Sequence, residues 1–176
     1  CTLPENTLES EELITNPRFE GEDPLEGWEL SAGVESFISD VLADGSLNIT
    51  RIVASDIERD VGVGQNVELS ATGAKISYGP ITYRVEVEGM GSNFHVYVRG
   101  NSDEGSIFPF KLLYLSTTMQ NHTGEFTAPI LYDDDRDRIT SWTIGVMDRH
   151  RGSIGGSARI RRISLRAVQD CVSAEY

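Results

Sequence analysis

The sequence predicts an all-β protein, a β-sandwich jelly roll of two antiparallel sheets with about ten strands. Three observations predict it. Apolar and polar residues alternate singly through most apolar runs, which is the period of a strand with one face in a core. Those runs are short and are punctuated by Gly, Pro, Asn and Asp. Only residues 55–60 read as a helical turn, so no helix competes for the core.

A chain of 176 residues suits one domain with a full core. Residues 1–12, CTLPENTLESEE, have little to bury and read as an acidic extended lead or spacer. Residues 13–171 form the single sandwich domain, and 172–176 a tail.

The elements follow in order. Order begins at 13–20, LITNPRFE, where Pro17 is confined to a strand edge or turn. A short strand follows at 27–30, GWEL. Strands over 34–39 and 47–52 flank the turn Asp44-Gly45, with Leu47 and Ile49 inward. The strand at 61–69 contains Gly62 and Gly64, which point to a bend or bulge; a dinucleotide loop would need a third glycine and a following helix.

Residues 81–100, ITYRVEVEGMGSNFHVYVRG, sort their side chains most cleanly. Ile81, Tyr83, Val85 and Val87 take one side, and Thr82, Arg84, Glu86 and Glu88 the other. The segment GMGSN reverses the chain, and Phe94, Val96 and Val98 return inward with His95, Tyr97 and Arg99 outward. Read as a strand pair, this places two arginines, two glutamates, a histidine and a tyrosine on one sheet surface.

Further strands lie at 107–117, at 125–130 and at 141–147, the last with Trp142, Ile144 and Val146 on one side. An acidic loop, 132–138, and a glycine-bearing loop, 149–156, separate them from the closing strand at 157–168. There Ile160 and Ile163 are three apart, so the phase slips once and a bulge is expected at Arg161-Arg162.

The net charge of -13 argues against a nucleic-acid partner. Residues 1–60 carry 15 carboxylates against 3 basic side chains, so the acidity is an N-terminal property. Arg149, Arg151, Arg159, Arg161, Arg162 and Arg166 read as salt-bridge partners for that half. No apolar run reaches the roughly 18 residues of a membrane span. The two cysteines, Cys1 and Cys171, leave two readings open. They form a disulfide joining the chain ends, or Cys1 carries a lipid after removal of a signal peptide. Both imply an exported, extracellular or cell-surface protein, which we expect to be a monomer.

Four landmarks in order carry a resemblance. Asn16-Pro17-Arg18-Phe19-Glu20 followed by Gly27-Trp28 looks like an opening N-x-x-F-E … G-W. Tyr83-Arg84-Val85-Glu86-Val87 looks like a Y-x-v-x-v strand, Phe126-Thr127-Ala128-Pro129 like f-t-a-p, and 157–165 like a closing strand. Together they resemble the jelly-roll carbohydrate-binding modules of families 4, 9, 16 and 22, over residues 13 to about 168. The resemblance implies non-catalytic binding of a polysaccharide or oligosaccharide by a module of a secreted enzyme or surface protein. It also implies a structural calcium held by Glu20 and an Asp of the closing strand. Here that strand reads Ile160-Arg161-Arg162-Ile163-Ser164-Leu165, so Arg161 stands where the Asp belongs. A guanidinium cannot ligate calcium, which takes six to eight oxygens. No cofactor is therefore required, and Glu20 is expected to pair with Arg161 or Arg162 instead. The alternative calcium donors would be Asp133, Asp134, Asp135 and Asp137, more simply read as a solvated loop.

Sugar recognition needs aromatic faces for the apolar side of a pyranose and fixed polar groups for its hydroxyls. The candidates are Arg84, Glu86, His95, Tyr97 and Arg99, with Tyr97 as the stacking platform; its alternative is a surface tyrosine. Trp142 is core by phase but could reach a groove rim, and Tyr114 has an ambiguous phase. Two alternatives to a sugar-binding module stand beside it. A structural or adhesion domain would contact protein with the same fold. A glycoside hydrolase or lyase would need two carboxyls about 5 to 10 Å apart. Glu86 and Glu88 have that spacing, but no catalytic signature accompanies them, so we read the chain as a non-enzyme.

Overall fold

The computed structural model describes residues 7–9, 11–30, 37–51, 61–68, 81–102, 105–128, 141–148 and 157–170. Cys1, Cys171, Arg149, Arg151, the acidic loop 132–138 and the turn expected at 55–60 lie outside them. The described residues contain no helix and eleven strands: β1 Thr7–Glu9, β2 Glu29–Leu30, β3 Phe37–Val41, β4 Leu47–Arg51, β5 Val61–Glu68, β6 Ile81–Gly91, β7 Phe94–Ser102, β8 Gly105–Tyr114, β9 Gln120–Ala128, β10 Ser141–Asp148 and β11 Ser157–Asp170. They form two antiparallel sheets. Sheet A runs β3-β4-β11-β6-β9 with β1 also on β11, and sheet B runs β2-β5-β10-β7-β8.

Burial of one apolar face per strand explains this layering. Tyr83, Val85 and Val87 of β6 and Phe94, Val96 and Val98 of β7 are all fully buried. They do not sit side by side, because β6 pairs with β11 and β9 whereas β7 pairs with β10 and β8. The expected strand pair over 81–100 is therefore corrected: at Ser92-Asn93 the chain crosses from sheet A to sheet B. Asn93 takes a left-handed φ of 65° there, and Gly91 N–H and Ser92 N–H donate to Ser116 O and Ser157 O. Alternation is the same whether the next strand pairs or crosses, so it could not separate the two.

An aromatic trio ties the sheets together. Tyr83 stacks on Phe126 with centroids 5.3 Å apart within sheet A, and Trp142 of sheet B meets Phe126 edge-on at 4.9 Å. Trp142 is 2% exposed, so its phase assignment to the core holds and it reaches no groove rim. The expected bulge is present, the register of β11 against β6 shifting between Ile160 and Arg162 so that Ile160 and Ile163 are both buried.

The N-terminal segment is more structured than its composition suggested. Thr7–Glu9 pairs with Val168–Asp170, so part of the expected lead is a strand of sheet A. The Glu12 carboxylate accepts from Ile14 N–H, Leu165 N–H and Ser164 Oγ–H. Gln65, 4% exposed, clamps Thr15 at both its N–H and C=O, at 2.6 and 3.0 Å. The N-x-x-F-E motif gains a physical role. Asn16 Nδ2 donates to Glu20 O, Asp23 O and Pro24 O at 2.9, 3.3 and 3.1 Å, while Asn16 Oδ1 accepts from Glu20 N–H at 2.9 Å. Trp28 Nε1–H donates to Asn16 O at 3.1 Å and its ring packs 5.3 Å from Phe19.

Glu20 is exposed and contributes its backbone to this loop. The expected pairing of Glu20 with Arg161 or Arg162 does not occur, since Arg161 reaches Asp44 and Glu88 and Arg162 reaches Glu86. The strand register places both arginines over β6 and β4, and the bulge turns both to the outer face. Among the described residues no group of three or more His, Cys, Asp or Glu could hold a metal ion.

Two outcomes are expected. Asn16→Ala removes four side-chain hydrogen bonds and places alanine at a φ of 48°, so unfolding free energy in urea should fall by about 2 to 4 kcal/mol. Burial pushes the Tyr83 phenol up from 10.0 to about 12, the Trp142 indole lowering it by less. The folded state thus holds this proton more tightly than the unfolded chain, so the associated stability is complete below pH 10.0 and is lost as pH rises to about 12. Tyr83→Phe should flatten that alkaline loss, measured by urea midpoints across the same pH range.

Candidate functional site

The sandwich has two outer faces of different chemistry. On sheet A, Arg84, Glu86 and Glu88 of β6 point out beside Arg162, Ser164 and Arg166 of β11. Charges here are paired: Arg84 Nε to Glu125 at 3.0 Å, Arg162 to Glu86 at 3.2 Å and Arg161 to Glu88 at 3.5 Å. Asp44 adds Arg159 at 2.7 Å and Arg161 at 3.7 Å. Hydrogen bonds from Ser46, more than the two arginines, hold the Asp44 carboxyl below its usual range. The arginines of the closing strand thus serve as salt-bridge partners, two of their described pairs going to Asp44 in the acidic N-terminal half and two to Glu86 and Glu88 of β6. Such exposed pairs contribute little each, about 0 to 1 kcal/mol.

On sheet B the outer positions are Gly62, Gly64, Asn66 and Glu68 of β5, Ser141, Thr143, Gly145 and Met147 of β10, and His95, Tyr97, Arg99 and Asn101 of β7. His95 opposes Tyr114 on β8. One half of this face is aromatic over a glycine floor. The His95 ring lies 6.4 Å from Tyr97 and 5.9 Å from Tyr114, and the rows of His95 and Tyr97 cross β10 and β5 at Met147 and Gly62 and at Gly145 and Gly64. Gly62 and Gly145 are required by close strand approach: a Cβ at Gly62 would sit 2.0 Å from Val146 O, and one at Gly145 would sit 2.7 Å from Val63 O. The β5 glycines therefore produce neither bend nor bulge, as the unbroken β5-β10 register confirms.

The other half is polar. Asn101 Nδ2 donates to Asn66 Oδ1, Ser141 Oγ and Thr143 Oγ1 at 3.0, 3.2 and 2.9 Å, and Arg99 stands in the row of Thr143 and Asn66. The face thus carries rings at one end, of which His95 is 1% exposed, and fixed donors and acceptors at the other.

The structure thus divides the candidate residues. His95, Tyr97, Arg99 and Tyr114 come together on sheet B, while Arg84 and Glu86 lie on the opposite side of the molecule and Trp142 is in the core. The single surface expected for Arg84, Glu86, His95, Tyr97 and Arg99 does not exist, because the chain changes sheets between them. Tyr97 is 5% exposed and Tyr114 58%, so the open ring is Tyr114 and not the expected platform. Asn66, Asn101, Ser141 and Thr143 were not anticipated; their alternation was readable, but not which strands flank β7.

No protein-family model and no curated protein sequence matches the chain. Solved structures do. A CBM22-1 xylan-binding domain from Paenibacillus barcinonensis Xyn10C superposes with a TM-score of 0.53 at 12% identity, covering 92% of this chain and 97% of that one. Its fold is that of the jelly-roll carbohydrate-binding modules. A CBM4 domain gives 0.53 at 16% identity, covering 88% and 99%. An arabinose-bound MgGH51 α-L-arabinofuranosidase gives 0.55 at 15% identity over 89% of this chain, which spans only 26% of that enzyme.

The two tyrosines should separate by mutation. Tyr97→Ala, at a buried position, should cost about 2 to 4 kcal/mol of unfolding free energy, and Tyr114→Ala less than about 0.5, both read from urea denaturation.

Proposed function

We propose that this domain binds polysaccharide without cleaving it, through the outer face of sheet B, as a targeting module of an exported protein. The observation that carries the reading is the juxtaposition of Tyr97, His95 and Tyr114 with Arg99 and the Asn101 cluster on one sheet face. The fold shared with modules that include a xylan-binding domain supports it. The exposed ring of Tyr114 covers the apolar face of a pyranose, and the amides and hydroxyls of the polar half meet its hydroxyls.

The carboxylates best placed by sequence for hydrolysis favour a non-enzyme. Glu86 and Glu88 are tied to Arg162 and Arg161 on the other face, away from the rings.

Calorimetry against a panel of β-glucans, xylans, mannans and acidic glycans should detect binding that Tyr114→Ala weakens about tenfold, equivalent to about 1.4 kcal/mol. Glu86→Gln should leave it unchanged, and no reducing ends should appear on incubation. Absence of binding to every glycan tested sinks the proposal.

A further inference from the structure

We infer that the glycan bound by sheet B is acidic and that Arg99 is the residue that selects it by engaging an oxyanion, a uronate carboxylate or a sulfate ester. The inference rests on the binding face proposed above.

Arg99 is half-buried on β7, next to the central strand of that face, and its Nε is withdrawn from solvent without a hydrogen-bond partner. No ion pair or hydrogen bond joins its guanidinium to any described residue. On sheet A the Nε atoms of Arg159 and Arg166 are likewise withdrawn without a partner, but Arg84, Arg159, Arg161 and Arg162 each have a carboxylate within 4.0 Å, which Arg99 lacks among the described residues. A desolvated guanidinium N–H left unmatched is costly, and a protein that builds one into a sheet face leaves a donor for something else. The planar fork of Arg suits a two-oxygen acceptor, which a neutral sugar hydroxyl does not offer.

Among the described residues no carboxylate stands beside Arg99. The two described acidic side chains on this face are Glu68 on β5 and Glu29 on β2. At about 4.8 Å per strand they stand roughly 10 and 14 Å from β7. Glu68 already accepts from Asn66 Nδ2 at 3.4 Å. Glu86 and Glu88, which would have argued for a neutral ligand had they shared this face, are on the other sheet. Among the described residues an acidic ligand at Arg99 therefore meets a positive side chain on β7, with the acidic side chains of this face two and three strands away.

The test uses the 176-residue chain in calorimetry at low and raised salt. Alginate and polygalacturonate present carboxylates, carrageenan presents sulfate, and β-glucan, xylan and mannan are neutral. Binding to a carboxylated or a sulfated glycan, weakened by salt, is expected, and the arm that binds identifies the oxyanion. Arg99→Gln should lower that affinity at least tenfold and Arg99→Lys by less, with thermal melts checking that both variants fold. Binding confined to neutral glycans, or an Arg99→Gln affinity within twofold of the parent, overturns the acidic assignment and leaves the binding face standing. Binding to no glycan overturns both.

Discussion

Everything in this molecule follows from two apolar sheet faces being pressed together. Each long strand offers one such face, and the aromatic trio of Tyr83, Phe126 and Trp142 joins the sheets where β6, β9 and β10 meet. With rings buried at centroid separations near 5 Å, neither sheet can slip by one residue without turning polar side chains into the core. The alternate residues have no choice but to face out. Two outer surfaces result, and their chemistry was set by residues that the core leaves free.

Those surfaces differ in how their charges are satisfied. On sheet A the bulge at Arg161-Arg162 turns both guanidiniums outward onto Glu88, Asp44 and Glu86, giving a lattice of exposed pairs. On sheet B the charge of Arg99 lies among rings, amides and hydroxyls, beside strands brought close by Gly62 and Gly145.

The opening motif can be understood in the same terms. A loop carrying inward-directed carbonyls of Glu20, Asp23 and Pro24 needs a positive or donating group at its centre, and Asn16 supplies donors from a left-handed backbone position. Hydrogen bonds organise this loop. Gln65, reaching from β5 to Thr15, then fastens the loop to sheet B.

Sequence alone determined the fold class, most strand positions, the inward set of Tyr83, Val85, Val87, Phe94, Val96, Val98, Trp142, Ile144 and Val146, and the bulge in β11, because each depends on the local period of side chains along one strand. It could not determine that β6 and β7 belong to different sheets, since a strand alternates in the same way whether its successor pairs with it or crosses the core. For the same reason it grouped Arg84 and Glu86 with His95, Tyr97 and Arg99, and could not find Asn66, Asn101 and Thr143 beside them. Only the tertiary structure decided which strands are neighbours, and a face whose side chains come from β5, β7, β8 and β10 exists only once that is decided.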